Sequence, residues 1–228
     1  MSDDGEPSGS DAARAFYGRW AGLYDLLATY VPGVGELRDR AAVALDLDRG
    51  DIVVEMGCGT GANLSYLREQ VGPEGTVVGV DYTRGMLDRA RELVARRGWG
   101  NVHLVHGDAT APPISGPVDG VLATFVSGML ADPAAAVDGW CDLAPDGTVV
   151  LVDMALSDDS RAAPVNALFR ALTVLSTPPT LQFRYDPPPH DLLRERVESA
   201  RDALLDRSRG SHREERVLGI VRLTGGRM

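Results

Sequence analysis

The chain has 228 residues, 44% of them hydrophobic, which is enough for one α/β domain with a buried core. Its 23 basic residues are all arginine, set against 33 acids for a net charge of -10. That balance disfavours a broad nucleic-acid footprint, and the absence of lysine excludes a Schiff-base lysine, a Walker A lysine and the Tyr-x-x-x-Lys pair of short-chain dehydrogenases. No run of 18 apolar residues occurs and residues 1–6 lack a basic-then-apolar leader, so a cytoplasmic protein without an integral membrane segment is expected. Cys58 and Cys141 are too far apart in sequence to suggest a disulfide framework or a zinc site. The acid surplus fits a surface adapted to high salt, where screening removes self-repulsion; arginine codons of a GC-rich genome are the rival explanation.

Residues 1–11 are polar and rich in Gly and Ser, and are expected to form a disordered tail before a single domain spanning 12–228. Over 12–28, Phe16, Trp20, Leu23, Tyr24 and Leu27 recur at a spacing of three to four, which predicts an amphipathic helix. Val31-Pro32-Gly33 breaks it, and a second helix is expected over 36–45, giving a cap of two helices over 12–48 ahead of the first strand.

The run Val53-Val54-Glu55-Met56-Gly57-Cys58-Gly59-Thr60-Gly61 reads as a strand, a tight turn and a helix start, with the helix predicted over 62–70. Glycine suits such a turn because positive φ costs it little and the missing Cβ lets the backbone lie against a ligand. Gly57, Gly59 and Ala62 also satisfy the dinucleotide pattern G-x-G-x-x-G/A, and Asp81 lies about twenty residues on, so the loop alone does not choose a cofactor. Glu55 does discriminate: a carboxylate beside a pyrophosphate is repelled, whereas a cationic ligand is attracted. S-adenosylmethionine carries an ammonium and a sulfonium and no phosphate.

Further along, strands are expected at Val77–Asp81, around Val105 and over 118–123, with helices over 84–97 and 133–143. Gly98 closes the first of these helices and Pro133 opens the second. Leu143-Ala144-Pro145-Asp146-Gly147 turns into a fifth strand ending at Asp153. Taken in order, Glu55 with the glycines, Val77-Val78-Gly79-Val80-Asp81, Val105-His106-Gly107-Asp108-Ala109 and the 143–153 turn and strand resemble the class I S-adenosylmethionine-dependent methyltransferases. The likeness extends from Asp51 to Asp153 and, in plan, is nearest to the ubiquinone/menaquinone C-methyltransferase group, whose Tyr-rich entry segment resembles Phe16-Tyr17-x-x-Trp20-x-x-x-Tyr24-Asp25.

The resemblance, together with the alternation of β and α elements, implies a three-layer Rossmann-like sandwich. Its seven-stranded sheet is expected to be mostly parallel, with a C-terminal antiparallel hairpin and the ligand at the strands' carboxyl ends. The resemblance also implies S-adenosylmethionine as cofactor. Glu55, Gly57, Cys58, Gly59 and Gly61 would receive its methionine end, Asp81 with its neighbour Tyr82 the ribose, and Asp108 with Ala109 the adenine. Thr124 at the end of strand four would complete the set. Other readings stay open: Asp81 can cap the following helix, and Asp108 can form a turn.

After Asp153, residues 155–189 read as an insertion over the acceptor site, with a helix over 162–175 and rigid chain at Thr177-Pro178-Pro179 and Asp186-Pro187-Pro188-Pro189. A charged helix is expected over 191–205, then a weak strand over 204–208 and a strong closing strand over 216–224. No metal cluster and no catalytic base stand out. His103 and His106 are expected as satisfied structural residues in a buried strand, and His212 as solvated. Tyr24, Tyr185 and His190 are the candidates for orienting or deprotonating an acceptor, and an aligned sulfonium needs little more. The expected acceptor is a small, largely apolar molecule: quinone-like, a phenol, or a small or lipid amine. A homodimer stays open. So do two other classes, a nicotinamide-dependent oxidoreductase and a non-catalytic S-adenosylmethionine-binding protein.

Overall fold

The computed structural model describes residues 34–175 and 188–228. In chain order its elements are α1 (Val34–Val43), β1 (Ile52–Met56), α2 (Leu64–Val71), β2 (Thr76–Asp81), α3 (Arg84–Arg97), β3 (Val102–His106) and β4 (Gly120–Thr124). A 3-10 turn (Ser127–Met129), α4 (Pro133–Leu143), β5 (Thr148–Met154) and a second 3-10 turn (Ser160–Ala162) follow. The chain closes with α5 (Ala163–Leu175), α6 (Pro189–Arg207), β6 (Gly210–Arg216) and β7 (Val221–Arg227). The helix expected over 12–28 and the chain at 177–187 lie outside the described residues.

Helices whose ends are set by local chemistry fall where the sequence predicts them. Gly98 ends α3 in the left-handed region at φ 65°, its N–H donating back to Ala95 O and Val94 O, a conformation glycine adopts without steric cost. Asp132 caps α4 by accepting from Ala135 N at 3.0 Å, and Pro133, which has no N–H to satisfy, takes the first helical position. By contrast α2 starts at Leu64, two residues later than expected, because Gly61 N is committed to Cys58 O and the chain is still turning.

The seven strands form one sheet in the order β3-β2-β1-β4-β5-β7-β6, parallel except where β7 runs antiparallel to both β5 and β6. The Val-rich strands bury both faces, as parallel sheets require. On one face Leu37, Ala41 and Ala42 of α1 and Leu64, Leu67 and Val71 of α2 pack on Val53, Leu122, Val150 and Val152. On the other, Val137 and Trp140 of α4 and Ala200 and Leu204 of α6 pack on Val54, Met56, Val121 and Leu151. Each fully buried Val, Leu or Met among them contributes about 1.5–3 kcal/mol of transfer free energy, and each alanine methyl about 0.8 kcal/mol. The alternation puts Glu55 and Thr124 on the α1/α2 face and Asp153 on the α4/α6 face. Strand order reverses between β2-β1 and β4, which is where open α/β sheets bind ligands.

The C-terminal hairpin corrects two expectations. Residues 204–208 are not a strand: α6 runs on to Arg207, and Ser208 Oγ donates to Leu204 O. The apolar run 216–224 is not one strand either, since 217–220 form the hairpin turn. Val217 and Leu218 sit there at φ 52° and 57°, a strained region for branched side chains, and are 57% and 42% exposed. The missing strand is β6, Gly-Ser-His-Arg-Glu-Glu-Arg, whose lack of apolar alternation follows from its place at the sheet's edge. The buried neighbourhood expected for His103 and His106 is also absent. Both are exposed, because β3 is the opposite edge.

Candidate functional site

At the carboxyl ends of β1, β2 and β4 the glycine turn folds back on its own strand. Gly57, Gly59 and Gly61 adopt φ values of 68°, 55° and 86°. Two of them are structurally obligatory, since a Cβ at Gly57 would meet Val126 Cγ2 at 2.4 Å and one at Gly61 would meet Leu64 Cδ1 at 2.6 Å. At Gly59 a Cβ would meet nothing within 4 Å. Packing therefore explains the outer glycines, while Gly59 presents bare backbone to open space. Cys58 is buried beneath the turn, beside Gly79, with its N–H donating to Val80 O at 2.9 Å. Burial pushes its thiol far up, so it is a neutral packing group.

Asp81 fastens the turn. Its Oδ2 accepts from Gly59 N at 2.8 Å and its Oδ1 from Thr83 N at 2.7 Å, so the carboxylate joins the loop to the start of α3. Asp81 is not the cap of α3, which is Thr83; its carboxylate holds the N–H of that cap residue instead. Tyr82 is 49% exposed and stacks on His106, with ring centroids 6.0 Å apart, while His106 Nε2 lies 2.9 Å from Tyr82 O. Asp108 forms a turn in which its Oδ1 accepts from both the N–H and the hydroxyl of Thr110 at 2.8 Å. Ala109 O accepts from the indole of the buried Trp140 at 2.7 Å, anchoring the loop after β3 to α4.

Behind Gly59, on the α1/α2 face, lies a buried polar group that the sequence reading only half identified. Asn63 Nδ2 donates to Glu55 Oε1 at 2.6 Å and to Thr124 Oγ1 at 3.1 Å. Glu55 is 1% and Asn63 4% exposed, yet Glu55 Oε2 and Asn63 Oδ1 are buried without a hydrogen-bond partner. Two orphaned acceptors in one place are costly, at roughly 1–3 kcal/mol each, and what satisfies them is a donor. Desolvation raises the Glu55 carboxyl to about 8, against the pull of Asn63 and the more distant Arg38 guanidinium. The donor set therefore fits an ammonium group, which would supply the missing hydrogens and return Glu55 to its charged form. It does not fit a pyrophosphate.

Asn63 and Arg38 were missed from sequence, although each left a signal. Asn63 is a poor helix former placed where the helix after the glycines was expected to run. Arg38 sits in the apolar spacing of α1, between Leu37 and Ala41, where a charge has no structural use.

On the α4/α6 face Asp153 is 4% exposed and accepts from Ser127 Oγ at 2.6 Å. Desolvation raises it to about 7. Arg222, its partner across the β5–β7 register, donates to Leu156 O at 3.0 Å and Gly219 O at 3.1 Å. His190 stands in the first turn of α6, with Nδ1 buried and unbonded and Nε2 3.8 Å from Asp191 Oδ1. Leu193, the next residue on that side of the helix, lies against Gly128 of the 3-10 turn, so His190 is at the sheet's carboxyl end. Tyr24 and Tyr185 lie outside the described residues. Among the described residues no group of acids, histidines or cysteines could hold a metal ion, and no helix is long and apolar enough to cross a membrane.

Residues 53–147 match the family model described as a methyltransferase domain. The chain is 36% identical to nocamycin O-methyltransferase of Saccharothrix syringae over 137 residues, covering 59% of this chain and 48% of that protein. It is 39% identical over 69 residues to the demethylmenaquinone methyltransferase of Geobacillus kaustophilus, covering 30% of each. The chain thus spans half or less of the length of these curated relatives. Among solved structures, a SAM-dependent methyltransferase from Aquifex aeolicus superposes with a TM-score of 0.61 at 19% identity, covering 89% of this chain and 96% of that one. That likeness is one of fold, with the same seven-stranded α/β sheet, and the domain match falls on the strands that build the glycine site. Over residues 53–147 the chain is thus similar to a methyltransferase domain, within an α/β fold that it shares with the Aquifex aeolicus enzyme.

Proposed function

We propose that this chain transfers the methyl group of S-adenosylmethionine to a small, largely apolar acceptor. The observation that carries the reading is the pair of orphaned oxygens, Glu55 Oε2 and Asn63 Oδ1, buried behind the open backbone of Gly59. In this reading they take the ammonium of the cofactor's methionine end, with Thr124 holding Asn63 in place. Asp81 and Tyr82 face the ribose, and Asp108 and Ala109 the adenine. Glu55 at the loop weighs against a nicotinamide dinucleotide, whose pyrophosphate its carboxylate would repel.

Bound S-adenosylmethionine supplies an electrophilic methyl on a good leaving group. The work left to the protein is alignment and exclusion of water, which can supply much of the rate. The glycine turn, pinned by Asp81, holds one side of that geometry. Where the acceptor must lose a proton, His190 is the candidate among the described residues, because its Nδ1 is buried without a partner in the first turn of α6. The names of two relatives, a nocamycin O-methyltransferase and a demethylmenaquinone methyltransferase, fit a small acceptor. The net charge of -10 weighs against a broad nucleic-acid surface, and a cytoplasmic role as monomer or homodimer is part of the same proposal.

Titration calorimetry is the direct test. S-adenosylhomocysteine is expected to bind with a Kd on the order of micromolar, about -8 kcal/mol. Asp81→Ala should weaken it by roughly 1.5–3 kcal/mol, the range for charged hydrogen bonds. NAD binding in place of S-adenosylhomocysteine would overturn the reading. Transfer of a labelled methyl group into a cell extract then separates an enzyme from a silent binding protein, and the labelled product identifies the acceptor.

A further inference from the structure

The two edges of the sheet are built differently. β6 closes one side with Arg213, Glu214, Glu215 and Arg216, charged residues that discourage a further strand. β3 closes the other as Val-His-Leu-Val-His, without an Asp, Glu, Lys or Arg. Which of its backbone groups face outward follows from its pairing with β2. Val77 N donates to Asn101 O and Gly107 N to Asp81 O, and in the parallel register from Val77–Val102 to Asp81–His106 this turns the backbone of residues 103 and 105 toward β2. The N–H and C=O of Val102, Leu104 and His106 therefore point away from the sheet, and no described residue bonds them. Such a row is a template for another strand.

Beside this edge lies a groove of about 460 Å³, lined by Val94, Trp99, Val102 and Leu104 together with Arg91 and His103. The cations next to it already have partners. Arg91 pairs with Asp88 at 2.7 Å, and Arg68 donates to Asn101 Oδ1 at 2.9 Å with its guanidinium 5.8 Å from the centre of the Trp99 ring. The groove thus offers apolar surface and open backbone with no unpaired charge in its lining, and what complements it is another neutral, apolar strand edge. β3 is itself such an edge. Set antiparallel about a two-fold axis at Leu104, it places Leu104 opposite the partner's Leu104, and Val102 opposite the partner's His106. These are the outward-facing residues, so the pairs exchange about six N–H···O bonds. Between them His103 stands opposite the partner's Val105. No histidine meets a histidine, so the pairing sets no like charges opposite each other even when the rings are protonated. Centring the axis on Val102 or His106 leaves fewer pairs, and the second choice opposes His106 to itself.

We propose that the outer edge of β3 is a self-association surface, on which a second copy of this chain pairs antiparallel about Leu104 and joins two seven-stranded sheets into one. The same patch serves both copies, so the assembly closes at a dimer. The inference does not rest on the cofactor reading, because it uses only the edge strand and the groove beside it.

The test is sedimentation equilibrium of the full chain between about 1 and about 200 μM. A monomer–dimer equilibrium is expected with a Kd on the order of 10 μM, in the range of a small interface. Leu104→Lys opposes two ammonium groups at the axis and should raise that Kd at least about tenfold. Leu104 is half-buried, so a charge there also burdens the fold, and Leu104→Cys supplies the second measurement. A short bismaleimide should join two Leu104→Cys chains, while Ser211→Cys, on the β6 edge, stays single. Cys58 and Cys141 are buried with raised thiols and leave the reagent to the introduced site. A wild type that stays monomeric throughout, a dimer that Leu104→Lys leaves intact, or failure of Leu104→Cys to cross-link would each overturn the inference.

Discussion

Two buried carboxylates stand at the carboxyl end of the same sheet, Glu55 on the α1/α2 face and Asp153 on the α4/α6 face, and they have been treated differently. Asp153 sits in a finished structure. Ser127 donates to it, Arg222 lies opposite, and the guanidinium of Arg222 itself donates to the carbonyls of Leu156 and Gly219. Around Glu55 the inventory does not close: one of its own oxygens, the Asn63 carbonyl and the Arg38 Nε are all buried and unbonded. Depth alone does not separate the two sites, since both acids are almost inaccessible. What separates them is satisfaction. A buried polar group with its partners in place is architecture, and one whose partners are missing is a binding site waiting for them.

Gly59→Val should break the open side most sharply. Binding of S-adenosylhomocysteine is expected to vanish while the protein still folds, because the new side chain fills ligand space and meets no core atom. Its positive φ adds strain of about 1–3 kcal/mol. Gly57→Val or Gly61→Val, which collide with Val126 or Leu64, should fail to fold in the same expression trial. If all three behave alike, the distinction between packing and ligand glycines is wrong.

Arg222→Met tests the closed side. Two carbonyls lose a charged donor, so the stability measured by urea denaturation should drop by about 3 kcal/mol, with the affinity for S-adenosylhomocysteine unchanged. A loss of binding equal to the loss of stability would mean that the two faces are coupled.

Protons sharpen the comparison next. Glu55 lies near 8 in the folded, unligated protein against about 4.5 when unfolded, so its protonated form favours the fold. The stability it contributes is complete below about pH 4.5 and is lost as pH rises through 8. Relative to wild type, Glu55→Gln should therefore melt progressively higher as pH increases over that window. Ligand binding runs the other way: an ammonium needs the ionised acid, so affinity for S-adenosylhomocysteine should rise about fivefold between pH 7 and 8, and the slope should disappear in Glu55→Gln. Asp153, near 7, contributes a similar decline in stability but no slope in binding.

Salt has the smallest expected effect. If the lysine-free, acid-rich surface is an adaptation to salt, the melting temperature should climb by several degrees as KCl rises from about 0.1 M to about 1 M, where the Debye length falls to about 3 Å. A flat profile would favour codon usage as the cause.

The parts legible in the sequence are those whose cause is local. Gly98 and the Asp132-Pro133 pair mark helix ends by their own backbone chemistry, and the glycine triplet with Asp81 marks the turn at the switch point. The C-terminal antiparallel hairpin is present as expected, but its strand bounds differ because an edge strand needs no apolar alternation, so Gly210–Arg216 carries no strand signal. The apolar run from Val217 that does carry one is turned back by positive φ and by the register of β7 with β5. The Glu55–Asn63–Thr124 contact joins three elements far apart in sequence, and the missing bonds that make it a site exist only once the chain has folded. A pattern of residue types can show that an acid is present, but not that one of its oxygens has been left without company.

The two cysteines give the protein its own probe of motion. Cys58 lies under the glycine turn and Cys141 on the inner side of α4, both nearly inaccessible; burial raises the Cys141 thiol to about 11 and the Cys58 thiol further. Thiol reagents attack the thiolate, so neither sulfur should be alkylated in the closed state, and each labelling rate reports how often its own neighbourhood opens. Cys58 times the loosening of the ligand loop against β2, and Cys141 times the departure of α4 from the sheet. Addition of cofactor should slow the first clock far more than the second.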